Sequence, residues 1–211
     1  MATTKTLKID APKFGVLAIE IEGTAPYMQA KFSAKTKQAM KEKMEAGSTA
    51  RSKRKRDSRD FENDFLQAQH FSDEGWNGIP AAAFRNACID ACRMVGYKMT
   101  HARMSIFAEA DGYDADDGTP LVQIVGEAPK QVEMSVRNAT GVVDIRVRPM
   151  WRKWSAIVRV RYDEGQFTAE DVTNLMLRAG QQVGIGEGRP FSKSSNGLGY
   201  GLFKIKNVSY V

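Results

Sequence analysis

Residues 184–205 read GIGEGRPFSKSSNGLGYGLFKI, six glycines and then an apolar run. Glycine is chosen where the backbone must take φ > 0 or pass close to another group, and each one costs conformational entropy on folding. A Walker loop needs GxxxxGK[ST], and the dinucleotide fingerprint needs a strand before its glycines and a helix after them. Here the order is reversed. A helix-like segment precedes the glycines, and an extended one, Leu202 to Val208, follows.

Outward from this stretch the elements fall into order. FTAEDVTNLMLRAGQQVG predicts an amphipathic helix: Thr168 suits the N-cap, Glu170 and Asp171 suit the positive end of the dipole, and Val172, Leu175, Met176, Ala179 and Val183 form a buried stripe. KFGVLAIEIEG predicts a strand with Leu17, Ile19 and Ile21 on one face. FENDFLQAQHF reads as a short helix, and Pro80 opens another from Ala81 to about Val95. VVDIRVRP and SAIVRVRY, joined by MWRKW, predict a hairpin with Val143, Ile145 and Val147 toward the core and Arg146, Arg148, Arg159 and Arg161 together on the opposite side. Like charges side by side call for solvent or an anion between them. Strand, helix, two or more strands, helix, strand is the order of an α+β, ferredoxin-like (βαββαβ, RRM-like) domain with insertions and a C-terminal glycine-rich loop.

Net charge is +6, but residues 31–59 hold eleven basic against three acidic side chains, a local +8 that leaves the remainder at −2. With SKRKR at its centre and few large apolar residues, this block cannot bury enough surface to fold alone. The expected organisation is a domain of residues 1–30 and 76–211, interrupted by a basic, mobile insertion at 31–75. Lys53, Arg54, Lys55, Arg56 and Arg59 are its expected phosphate contacts. No apolar run approaches the ~20 residues that span a bilayer and no leader is evident, so no membrane partner and a cytoplasmic location are expected.

Cys88 and Cys92 recur at helical spacing with Phe84, Ala91 and Val95 and read as core; no second pair completes a zinc site. Asp114, Asp116 and Asp117 do not make a calcium loop, because counting from Asp114 the glycine falls fifth and the twelfth residue is Val125. No metal and no cofactor is expected.

The glycine-rich loop entering a terminal strand, with Gly184, Gly186 and Gly188 followed by Gly197, Gly199 and Gly201, resembles the RAMP superfamily, the ferredoxin-like RNA-binding proteins of CRISPR systems. Ile79, Pro80, Ala81, Ala82 and Arg85 resemble the opening of the first helix in backbone subunits of CRISPR effector complexes, which also carry a long insertion before it. The GEGRP segment and the RPMWRKW hairpin look like uncharacterised phage-carried proteins. The resemblance implies RNA binding and self-association along a strand.

Binding is favoured over catalysis. Glycines let backbone N–H groups approach phosphate, with Arg189 and Lys193 beside them, and Trp151 and Trp154 flank Arg152 and Lys153 as candidate platforms for bases. The expected ligand is single-stranded RNA or DNA. His70 and His101 are the candidate general bases for the alternative, a metal-independent endoribonuclease of RAMP type. A further alternative is a phage structural or assembly protein with a basic arm.

Overall fold

The computed structural model describes residues 11–45, 47, 60–137, 143–192 and 196–211. In chain order the elements are β1 (Phe14–Gly23), β2 (Tyr27–Met28), α1 (Ala34–Glu45), α2 (Phe61–Gln67), β3 (Gly78–Pro80), α3 (Ala81–Ala91), α4 (Met99–Ser105), β4 (Ile106–Ala108), β5 (Gly112–Tyr113), β6 (Pro120–Gln123), β7 (Val125–Gly126), β8 (Lys130–Arg137), β9 (Val143–Trp151), β10 (Trp154–Asp163), α5 (Ala169–Arg178) and β11 (Phe203–Tyr210). The fold is mixed α+β, and its strand pairings are antiparallel. No helix among the described residues is long and apolar enough to cross a membrane.

The main sheet runs β11-β1-β10-β4. Alternation along β1 sends Leu17, Ile19 and Ile21 inward at 0% exposure, and β10 adds Ala156, Val158 and Val160 to the same face. α3 and α5 cover that face. Phe84, Cys88 and Cys92 from the first helix and Val172, Leu175 and Met176 from the second close one continuous core. Both cysteines are free and buried, and burial pushes the Cys88 thiol up to about 12. α5 starts as expected: Thr168 accepts from Asp171 N while the Asp171 carboxylate accepts from Thr168 N, a reciprocal capping box. Its last turn widens into a π turn at Ala179–Val183, and Gly184 then leads into the glycine-rich loop.

The expected hairpin does not form. β9 pairs with β8 and β2, whereas β10 pairs with β1, β4 and β7. Two-residue hairpin loops need φ > 0 at one or both central residues, and no described non-glycine residue has it. Arg152 and Lys153 therefore turn a corner between two sheets. Trp151 and Trp154 anchor that corner from inside, with rings 5.6 and 5.5 Å from Tyr27, and Trp154 Nε1 donates to the Ala25 carbonyl at 2.9 Å. They are core residues, not base platforms. β8 and β9 form a ribbon joined to β2 near the corner, so Val143 and Ile145, expected inside, are exposed, and Val147 reaches the core.

Part of the expected insertion is built into the domain. Asp60 caps α2 by accepting from Asn63 N, Lys31 N donates to the Ala68 carbonyl, and Phe71 and Ser72 bridge to Asn77 and Asp114. Lys53, Arg54, Lys55, Arg56 and Arg59 lie outside the described residues, as does Lys193.

Candidate ligand cleft

The glycine-rich loop is held by its own backbone. Ile185 N donates to the Gly201 carbonyl, Tyr200 N to Gly188, Glu187 N to Met28 and Gly201 N to Pro26, at 2.7–3.1 Å. All six glycines of the loop have φ between +66° and +79°. At Gly201 a Cβ would stand 1.8 Å from the Ile185 carbonyl oxygen, and at Gly186 it would stand 2.4 Å from that of Met28. Close approach of two backbones is thus one answer to what these glycines do. The amides of Gly186, Gly188 and Gly199 carry no such bond among the described residues; Gly186 and Gly199 are half-buried and Gly188 is buried.

Between this loop, the ribbon and one face of α3 lies a cleft of about 740 Å³. Gly184, Gly186, Gly188 and Arg189 form one wall, Arg146 and Arg148 another, and Asn86 and Asp90 of α3 a third. The cleft brings together three features far apart in sequence. Arg148 Nε meets Glu187 Oε2 at 2.5 Å, Arg189 Nη1 donates to the Gly186 carbonyl at 2.9 Å, and Arg146 reaches Asp144 only at 3.8 Å. Arg146, 39% exposed at its side chain, is the more open of the two ribbon arginines.

Other expected contacts lie elsewhere. Gly197, Gly199 and Gly201 do not line the cleft, and Gly201 is buried with its amide already used. Arg159 pairs with Asp111 at 2.8 Å and approaches Glu109, while Arg161 lies 4.8 and 4.7 Å from the rings of Phe14 and Phe107. Arg85 donates to the carbonyls of Ile106 and Arg103 beside Phe107. Those arginines hold structure together. Arg152 and Lys153 are exposed at the corner, and His101 is exposed against Tyr97. No family model matches the chain, and no curated protein matches it.

His70 lines the cleft, and its support was not legible in sequence. Its Nδ1 stands 2.6 Å from Asp114 Oδ2, and Asp114 Oδ1 accepts from Lys31 Nζ at 2.7 Å. Lys31 also reaches Asp116 at 2.6 Å, and Gln29 Oε1 accepts from His70 N at 2.9 Å. Burial alone would push Asp114 up, but its bonds to Lys31, Asp116 N and His70 outweigh that and hold it below the usual carboxylate range. Burial likewise opposes the charge on Lys31, yet Asp114 and Asp116 together raise its pKa. For His70 burial wins, holding the imidazole below its usual range against the pull of Asp114. The acidic turn is thus an internal counter-ion, and Lys37 extends it by pairing with Asp117 at 2.6 Å.

Proposed function

We propose that the protein is a non-catalytic, RAMP-type binder of single-stranded nucleic acid, RNA above all, built on a ferredoxin-like domain and able to assemble as repeated subunits along the strand. The observation that carries this reading is the cleft itself, where Arg146, Arg148 and Arg189 stand with the positive-φ glycines Gly184, Gly186 and Gly188. Guanidinium groups and positive-φ backbone amides are complementary to phosphate oxygens. The strand order supports the fold assignment: renumbering the four main strands by position in the chain gives 4-1-3-2, antiparallel throughout, with a helix before the second and fourth. The basic segment at 31–59 adds charge that would neutralise further phosphates.

Filter binding of single-stranded RNA, single-stranded DNA and duplex at several salt concentrations tests it. Single strands are expected to bind more tightly than duplex, with a log–log salt slope of about 0.7 per phosphate contacted. Binding that ignores salt, or prefers duplex, overturns the reading. Scission of the RNA during the assay would identify the endoribonuclease instead.

A further inference from the structure

The cleft's phosphate-directed groups are all donors, and one of its walls holds an acceptor. Asp114 is a carboxylate with Oδ1 engaged by Lys31 and the Asp116 amide, so Oδ2 can only accept, and the proton between it and the ring belongs to His70 Nδ1. In the neutral ring the other nitrogen, Nε2, then presents a lone pair. Among the described residues no side chain bonds to it, and none of their buried side-chain nitrogens or oxygens lacks a partner, so Nε2 opens to the cleft. Asp114 fixes the ring and Gln29 fixes the main chain behind it, while Gln29 is itself fixed by donating to Tyr27 Oη and the Gly78 carbonyl. Lys31 neutralises Asp114, which lessens the carboxylate's tendency to draw a second proton onto the ring.

A rigid neutral acceptor cannot hold a phosphate, which offers no proton. Of the groups along a nucleic-acid backbone, the ribose 2′-hydroxyl is the one that donates, and it is what separates RNA from DNA. Building on the single-strand reading above, we propose that His70 Nε2 accepts a hydrogen bond from a ribose 2′-hydroxyl and makes the cleft selective for RNA.

The test compares RNA, DNA and 2′-O-methyl RNA of one sequence on wild type and on His70→Asn. The asparagine amide can still donate to Asp114 in place of Nδ1–H, but nothing replaces Nε2. Wild type is expected to favour RNA by about tenfold, the effect of one hydrogen bond. The 2′-O-methyl strand, which has no proton to give, should bind like DNA. In His70→Asn the RNA affinity should fall to the DNA level while DNA binding is unchanged. Equal binding of RNA and DNA by wild type, or a preference that survives in His70→Asn, overturns the inference alone. Affinity that follows base identity across oligo-U, oligo-C and oligo-A but ignores the sugar assigns Nε2 to a base N–H and also overturns it. Failure to bind any strand overturns the parent reading and this one with it. If His70→Asn does not fold, the wild-type contrast between RNA and 2′-O-methyl RNA decides.

Discussion

Arg146-Val147-Arg148 and Arg159-Val160-Arg161 are the same tripeptide, placed on either side of one buried corner, and their surroundings are opposite. In both, the valine is buried and the arginines face away from it. On β10 the arginines stand over the open face of the main sheet, where Glu109 and Asp111 meet them; Lys206 pairs with Glu20 and Lys204 with Glu22 on β11 and β1. That face is charge-balanced. On β9 the arginines border the cleft, with Glu187 at 2.5 Å from Arg148, Asp144 at 3.8 Å from Arg146 and Asp90 on the facing wall. What an arginine does here depends on what the tertiary fold brings opposite it.

This contrast can be broken by mutation. Arg146→Ala with Arg148→Ala should lower affinity for a single-stranded oligonucleotide at least tenfold and reduce the log–log salt slope by about 1.4, two contacts at 0.7 each. Loss of affinity with an unchanged slope would place these arginines outside the phosphate contacts.

An acid titration sharpens the contrast from the other side. His70 and Asp114 both sit below their ordinary pKa values of 6.5 and 3.8, so each binds protons more readily in the unfolded chain. Their stabilisation is complete above those values and is lost as pH falls through the folded ones. Tm should drop by a few degrees below pH 6, and less so in His70→Asn. A Tm that is flat from pH 7 to 4 would remove this cluster from the stability of the cleft.

Arg159→Ala with Arg161→Ala should have the smallest effect on binding, within twofold. It should cost about 1 kcal/mol of stability, as expected for half-exposed ion pairs and contacts to aromatic rings. Chemical denaturation and filter binding on one preparation separate the two quantities, and a tenfold loss of affinity would return the sheet face to the site.

Local pattern carried the legible part of this molecule. The alternation in β1, the capping box of α5 and the positive φ of the glycines each depend on a few neighbouring residues, and each was readable. The corner at Arg152 and Lys153 was not, because two strands joined by two residues look like a hairpin unless the pairing of their outer edges is known. Nor was the Lys31, His70 and Asp114 cluster. Its partners are 83 and 44 residues apart, and a lysine near a basic run and an aspartate in an acidic turn show no sign of each other. In the cleft, the sequence marked Arg146, Arg148, Arg189, the first three glycines and His70 as a candidate base, but not the Asp114, Lys31 and Gln29 contacts that fix the imidazole.

β1, an inner strand of the main sheet, leaves the ribosome well before the strands it pairs with. β1 pairs with β10 from Phe14 opposite Asp163 to Glu22 opposite Ser155, and with β11 from Leu17 opposite Tyr210 to Gly23 opposite Phe203. About 130 residues must be added after β1 before either partner exists, on the order of ten seconds at typical elongation rates. For that interval a strand with both edges bare and Leu17, Ile19 and Ile21 uncovered is a target for chaperones and for other nascent copies. Yield on overexpression should therefore respond to growth temperature and chaperone supply more than the stability of the finished domain would suggest.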